Sequence, residues 1–420
     1  MTDAGAAGGG ARPPAARSGG VDGMRAIAAG LVFVYHGASL LGAGGFLARH
    51  WDVVGLFGPL GVCIFFVISG YLLFRPFVGA ILGDGPFPAP GAFWARRALR
   101  IFPAYWTALT VLWLVFDRVK IPDAGSFFTY FGLVQNYRAG YVDGGLDVAW
   151  TLVIEMSFYL VLPLFALASV WLARRMRGVG ARYAVALGAG VVWFGVGVAV
   201  RVWDLWFRKG PADPQGSWFA VSQTTRWLPG YLHWFAGGMV LAAVVEWHRR
   251  GHPLPAPLRV LGDRPWISWL IAAGFLAADI AIDLPINVYE GKPWQGFVLT
   301  ICTPLFATFL VLPMVLGTRP SAARQVLGSR PLAWVGLVSY GVYLWHRPIM
   351  IEIIDHSRGG GLRTGLLWAG LRYSVAIGAS LAVAAASYYV VERPCITWSH
   401  RFGRRRAAVA PAPAPVESVP

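Results

Sequence analysis

The chain is built from apolar runs of about 20 residues that recur along most of its length. Such a run is long enough to cross roughly 30 Å of hydrocarbon as a helix. Of the 420 residues, 56% are hydrophobic and 13% are charged, whereas a soluble domain usually has about 25% charged residues. The mean hydropathy is +0.56. A membrane β-barrel would show short alternating strands instead, so the sequence predicts an all-α, polytopic transmembrane helix bundle.

About ten runs are candidate spans, the third of which is short. They cover residues 24–43, 53–75, 103–116, 149–173, 183–203, 227–247, 265–284, 297–317, 331–352 and 366–391. The segments 1–20 and 399–420 are rich in Ala, Gly, Pro and Arg and are predicted to be disordered tails. One membrane domain, residues 21–398, is expected between them.

The basic residues indicate the orientation of the bundle. The formal net charge is +16, no nucleic-acid-binding module is visible, and Lys and Arg accumulate on cytoplasmic loops of membrane proteins. In the ten-span arrangement the arginine clusters fall on one side, where both termini also lie. These clusters include Arg96, Arg97, Arg100, Arg174, Arg175, Arg177, Arg249 and Arg250. We therefore predict a multi-pass protein of the plasma (inner) membrane with both termini in the cytoplasm and no nucleic-acid partner.

Polar residues inside the runs are the candidates for function. Arg25 and His36 are eleven residues apart in the first run, so they share a helix face and are separated by about 16 Å. Glu155 in the fourth run and His346 in the ninth run are expected at a depth similar to that of His36. An ionisable group within the membrane indicates function by default, although each of these residues, taken singly, could instead be a structural hydrogen-bonding residue.

The loop after the second run carries a basic cluster, and Arg96 and Arg100 share a helix face because they are four residues apart. Guanidinium groups suit phosphate oxygens, so Arg96, Arg97 and Arg100 form a candidate anion site. The alternative is ordinary positive charge on a cytoplasmic loop. The second run also holds Ser69 and Gly70, and small residues of this kind allow close helix packing.

Taken together, these segments resemble the acyltransferase-3 family of integral membrane O-acyltransferases. The arginine and histidine of the first run match its arginine–ten residues–histidine motif. "GVCIFFVISGYLLF", "RRALRIFPAYW", "WTLVIEMSFY", "SYGVYLWH" and "VERP" follow in the family's order. Met156 stands where a second Glu is common, and Glu392 lies in the last motif. The resemblance extends over about residues 21–395.

The resemblance implies a catalytic site at His36, Glu155 and Arg25. His36 would be the base that takes the acceptor proton, or an acyl relay, and Glu155 would orient its imidazole. A second group, Arg96, Arg97 and Arg100, would bind the phosphates of a cytoplasmic acyl-CoA donor, with acetyl-CoA expected. The residues predicted to bind the acceptor are His346, Ser69 and Trp150. No metal is expected, since Cys63, Cys302 and Cys395 form no ligand spacing.

The implied reaction is O-acylation of a hydroxyl on a cell-envelope glycan or another carbohydrate. A small natural product, such as a macrolide, is an alternative acceptor. A transporter of glycan or small polar solutes is the alternative of another class, but it would commonly show paired broken helices in the two halves. Pro304 and Pro313 interrupt one run without a counterpart. The oligomeric state is left open.

Overall fold

The computed structural model describes residues 19–41, 50–142, 144–207, 226–282, 292–359, 365–399 and 401. The predicted tails lie almost wholly outside these residues. Within them the chain is helical and has no β-strand, as expected of an all-α bundle. The helices are α1 (Gly19–Leu40), α2 (Trp51–Leu82), α3 (Pro90–Leu114), α4 (Ala124–Phe131), α5 (Trp150–Arg174), α6 (Val179–Phe207), α7 (Leu232–Arg249), α8 (Ala256–Asp263), α9 (Pro265–Ala281), α10 (Pro293–Leu316), α11 (Ala322–Leu327), α12 (Arg330–Gly359), α13 (Leu366–Ser387) and α14 (Arg393–Ser399).

Six helical segments of the described chain are long and apolar enough to cross a membrane. They are Val53–Leu82, Asp147–Arg174, Val179–Phe207, Leu228–Arg249, Pro293–Leu316 and Leu367–Ser399. Each of the other four predicted runs also coincides with a helix, namely α1, α3, α9 and α12. α9 is apolar but short. α1, α3 and α12 carry charged and polar residues that lower their mean hydropathy.

The longest helix, α2, runs through the centre of the bundle. It packs against α1, α5, α6, α7 and α10, and α1 in turn lies between α2 and α12. α13 covers the other side of α12. This order places the first predicted motif, on α1, directly against the ninth predicted run, on α12.

Glycine allows a very close helix contact between α2 and α7. A methyl group added at Gly70 of α2 would overlap the carbonyl oxygen of Phe235, and one added at Gly238 of α7 would overlap that of Val67. The two backbones therefore touch, which is the packing that small residues permit in membranes. α2 ends at Gly83, whose φ of +91° is a left-handed conformation that favours glycine.

A mixed ion-pair network joins the end of α2 to α7. Arg250 donates to Asp84 at 2.9 Å and to Glu246 at 2.8 Å, and Glu246 also accepts from Arg75 of α2. These side chains are only partly exposed. The network thus fastens the polar ends of two helices whose apolar parts are already in contact.

Candidate active site

An arginine-lined cavity is the main polar feature of the bundle. It has a volume of about 380 Å³ and is enclosed by α1, α2, α3, α5, α12 and α14. Arg25 enters it from α1, and Arg96, Arg97 and Arg100 enter it from the first part of α3. The predicted anion cluster and the arginine of the first motif therefore face one space. Ile396 and Ser399 of α14 also line the cavity.

The cavity holds more positive than negative charge. The four arginines are accompanied by two lining carboxylates, Asp22 and Glu155. Within the described residues, the Nε atoms of Arg25 and Arg97 are buried and have no hydrogen-bond partner. Burying a charged donor without a partner is costly. An anionic ligand would supply the missing acceptors, and guanidinium groups suit phosphate well.

Glu155 lies at the junction of α2 and α5. Its Oε1 accepts a hydrogen bond from Ser69 of α2 at 2.9 Å and another from the hydroxyl of Tyr159, one turn further along α5. Tyr159 is buried and also faces the Arg97 guanidinium, which lies 6.0 Å from its ring centre. Glu155 is thus held by two hydroxyl donors beside the arginines.

The two candidate histidines meet each other. His346 Nε2 lies 3.0 Å from His36 Nδ1, and the two ring centres are 4.9 Å apart. His346 is 1% exposed, whereas His36 is half-buried. The contact follows from the packing of α1 against α12. It agrees with the expectation that both side chains occupy the same depth.

Tyr343 connects the histidine pair with the cavity. Its side chain lines the cavity, and its ring centre lies 5.9 Å from that of His346, one turn further along α12. Its hydroxyl is 2.8 Å from the Thr151 hydroxyl and donates to the Val148 carbonyl at 3.0 Å. The histidine rings themselves are not part of the cavity wall. Tyr343 therefore lies between the arginine-lined space and the two imidazoles.

Two predicted roles do not agree with these contacts. Glu155 was expected to orient the His36 imidazole, but its hydrogen bonds go to Ser69 and Tyr159, because α1 turns the histidine toward α12 and not toward α5. The partner of His36 is His346, which had been assigned to the acceptor. Trp150 does not line the cavity and instead lies against Tyr231, with ring centres 5.5 Å apart.

Sequence reasoning missed the hydroxyl groups of the site. Tyr159, Tyr343 and Thr151 lie within apolar runs, where tyrosine and threonine are unremarkable. For Tyr159 a signal was present, because it is four residues after Glu155 and therefore shares its helix face. For Tyr343 and Thr151 the contact depends on how α5 and α12 pack, which no local pattern reveals.

The fold and the site define a helical, multi-pass membrane protein with an arginine-lined cavity beside a histidine pair. Residues 18–389 match the acyltransferase-3 family, described as an acyltransferase domain. Since this match covers most of the sequence, the chain belongs to that family, and the predicted resemblance is confirmed.

Three curated relatives illustrate the similarity. The chain is 27% identical to the putative peptidoglycan O-acetyltransferase YrhL of Bacillus subtilis (strain 168), over 93% of this chain and 56% of the relative. It is 24% identical to the peptidoglycan O-acetyltransferase OatA of Listeria monocytogenes, over 89% and 55%. It thus spans about half the length of these two relatives. It is 26% identical to nodulation protein 10 of Rhizobium leguminosarum bv. viciae, over 92% of this chain and 95% of the relative. No solved structure matches the chain.

Proposed function

We propose that the protein is a membrane-bound O-acyltransferase that moves an acyl group, acetyl in the simplest case, from cytoplasmic acyl-CoA to a carbohydrate hydroxyl. Membership of the acyltransferase-3 family supports the reaction class. The observation that carries the proposal is the arrangement of the four-arginine cavity, with Tyr343 at its wall and the His36–His346 pair directly behind. This arrangement offers a site for an anionic donor next to a base.

The protein would lie in the plasma (inner) membrane. In the proposed topology it has ten spans and both termini in the cytoplasm. The six apolar segments and the short α9 support seven of these spans. α1, α3 and α12 would be the other three, because the arginines and histidines that they bury face a protein cavity or each other rather than lipid. Groups of this kind are tolerated within a membrane where they line a protein interior.

The arginine-lined cavity would bind the phosphate groups of acyl-CoA from the cytoplasmic side. Arg96, Arg97 and Arg100 lie near the start of α3, and Arg25 near the start of α1. Under the proposed topology both places are at the cytoplasmic face. The cavity continues along the helices as far as Thr151 and Tyr343, so the thioester arm of the donor would extend from the arginines toward the histidines.

His36 would act as the general base. The acceptor oxygen attacks the thioester carbonyl while its proton moves to the His36 Nε2 atom. A carbon–oxygen bond forms and the carbon–sulfur bond breaks. The departing thiolate of CoA then takes the proton from Nε2, which restores the neutral imidazole. Proton transfer by a positioned histidine typically contributes about 10²–10⁴-fold to a rate.

The proposed acceptor is a hydroxyl of a cell-envelope glycan. YrhL and OatA are named as peptidoglycan O-acetyltransferases, the former putatively, and the matches to them cover 93% and 89% of this chain. A soluble natural product would use the same chemistry, so peptidoglycan fragments and small hydroxyl compounds are both suitable test acceptors.

The direct test uses membranes that contain the protein, labelled acetyl-CoA and these acceptors. We expect alkali-labile label on an acceptor with the wild-type protein and with His356→Ala, which removes an exposed histidine of α12. We expect none with His36→Ala at equal membrane abundance. If His36→Ala retains substantial activity, the base assignment is wrong. Glycan movement without consumption of acetyl-CoA would instead favour a transporter.

The base and the acyl-relay roles of His36 differ in one measurable species. A relay would leave an acyl group on the chain when donor is present and acceptor is absent. A base would leave the chain unmodified. We expect intact-mass measurement of the purified protein after incubation with acetyl-CoA to show no acylated form. An acetyl adduct on His36 would mean that His36 is an acyl relay and not a general base.

A further inference from the structure

We propose that His346 is the positioning residue that fixes the tautomer of His36. In the proposed tautomer the proton of neutral His36 is on Nδ1 and the lone pair is on Nε2. This inference rests on the proposed function, in which His36 is the base. It assigns to His346 a role other than the acceptor binding expected from the sequence.

The backbone of α12 determines the tautomer of His346. The His346 Nδ1 atom lies 3.1 Å from the carbonyl oxygen of Val342 and 2.9 Å from that of Tyr343. Carbonyl oxygens only accept hydrogen bonds, so Nδ1 must carry a hydrogen. A neutral imidazole has a single N–H. The Nε2 atom of neutral His346 therefore holds the lone pair.

The tautomer of His36 follows from this assignment. His346 Nε2 lies 3.0 Å from His36 Nδ1, and because Nε2 can only accept, His36 Nδ1 must donate. The carbonyl oxygen of Val32 lies 3.1 Å from the same His36 Nδ1 and also requires a donor there. Two independent acceptors thus place the proton on Nδ1, and the lone pair of neutral His36 is left on Nε2.

Burial separates the roles of the two rings. His346 is 1% exposed, and its ring lies between those of Phe33 and Tyr343, with centres 6.2 Å and 5.9 Å away. It is therefore closed to a substrate. His36 is half-buried, and no hydrogen bond reaches its Nε2 from the described residues. The accessible ring is the one with the available lone pair.

The pair also fits the reaction step. When His36 Nε2 takes the acceptor proton, positive charge develops on the His36 ring. Its Nδ1–H then donates a charge-assisted hydrogen bond to His346 Nε2, which is stronger than a neutral one. The Nδ1 proton remains on His36 throughout. A neutral imidazole thereby does what a carboxylate does for histidine bases elsewhere, without burying a further negative charge.

The experiment compares His346→Gln with His346→Asn. The amide of Gln reaches the position of the histidine Nε2 and can accept through its oxygen, whereas the amide of Asn reaches only the position of Nδ1. We expect Gln to keep kcat within about threefold of the wild type and Asn to lower it by roughly 10–100-fold, because Asn cannot accept the charge-assisted hydrogen bond from the His36 imidazolium. The KM values for acetyl-CoA and for the acceptor should stay unchanged in both variants.

Nitrogen-15 NMR of histidine-labelled protein in lipid provides a readout that does not depend on activity. The His36 signals, assigned by their loss in His36→Ala, should show a protonated Nδ1 and an unprotonated Nε2 in the wild type and in His346→Gln. In His346→Asn only the Val32 carbonyl still accepts from Nδ1, so a detectable fraction of His36 should carry its proton on Nε2 instead. The matched control, His356→Asn, should lose only the His356 signals and should leave the His36 signals and the kinetics unchanged.

Three results would overturn the inference. The first is a neutral wild-type His36 that carries its proton on Nε2. The second is an equal kcat for His346→Gln and His346→Asn. The third is a change in these variants that is confined to a higher acceptor KM, which would make His346 a binding residue. Full activity of His36→Ala would instead overturn the proposed function, and the NMR assignment would then decide the tautomer by itself.

Discussion

Ser69 on α2 donates a hydrogen bond of 2.9 Å to the carboxylate of Glu155 on α5. This contact, together with that from Tyr159, holds a negative charge at the edge of a cavity that four arginines line. The position makes Glu155 a counter-charge for the arginines when no ligand is bound. A partner of the histidine base would have to lie elsewhere, against α1.

Glu155→Gln tests that role. The side-chain oxygen of Gln can still accept hydrogen bonds from Ser69 and Tyr159, but the negative charge is removed. One fewer negative charge in the cavity should strengthen donor binding. We expect the KM for acyl-CoA and the inhibition constant of free CoA to fall roughly fivefold, which corresponds to about 1 kcal/mol of Coulomb energy. Initial rates at several CoA concentrations measure both. A collapse of kcat at unchanged KM would show that Glu155 serves the base after all.

Arg97→Gln should have the opposite effect on the donor. A lost charge-assisted hydrogen bond costs about 1.5–3 kcal/mol, so the KM for acyl-CoA should rise roughly 10–100-fold while the acceptor KM stays constant. The matched control is Arg174→Gln, at the exposed end of α5. Donor saturation curves measure the KM for acyl-CoA in both variants, and only Arg97→Gln should raise it. An effect limited to the acceptor KM would contradict phosphate binding by Arg97.

Gly238→Ala should destabilise the bundle, because the added methyl group would overlap the Val67 carbonyl and force α2 and α7 apart. Overpacking typically costs about 1–3 kcal/mol. Gly274→Ala is the control: it is also a helix-interior glycine, on α9, but a methyl group there meets open space. Thermal unfolding in detergent should show a lower midpoint for Gly238→Ala and an equal or higher one for Gly274→Ala. Equal loss in both variants would refute the close contact.

Asp84 gives the ion-pair network a pH dependence. Its hydrogen bonds from the Arg250 guanidinium hold the pKa of the Asp84 carboxyl below its usual range. The carboxylate therefore stabilises the folded state above the unfolded-state pKa of about 4. This contribution is lost as the pH falls through the lowered folded-state pKa. The side chain is half exposed, so the effect is about 1 kcal/mol or less.

Asp84→Asn measures this contribution. The difference in unfolding midpoint between the wild type and Asp84→Asn should be constant from pH 5 to 7 and should shrink at lower pH. Asp117→Asn, which removes an exposed carboxylate paired with Lys120, is the control and should have little effect. A wild-type advantage that grows as the pH falls would have the wrong sign for this ion pair.

The bundle could be predicted from the apolar runs, because a long apolar run permits little except a membrane helix. The structure also shows why hydropathy is weakest for α1, α3 and α12. These helices carry His36, the arginines of α3 and His346, so the residues proposed for the chemistry are also ones that lower the mean hydropathy. The polar residues within these runs therefore indicated the candidate site. The same residues made it harder to count the membrane spans, because they lower the hydropathy of the helices that carry them.

The partners within the site could not be predicted in the same way. Helical periodicity places Arg25 and His36 on one face of α1, but it does not say which helix that face meets. Only the packing of α1 between α2 and α12 pairs His36 with His346 and leaves Glu155 with Ser69. The arginines of α3 and α1 were easier to associate, since the first and third predicted spans start on the same side of the membrane.

The arginine-lined cavity takes side chains from the first and the last of the described helices, Arg25 of α1 and Ser399 of α14. During synthesis a membrane protein is inserted from its N-terminus onward. The wall of the cavity is therefore complete only after α14 has been synthesised, although most of its lining residues come from earlier helices.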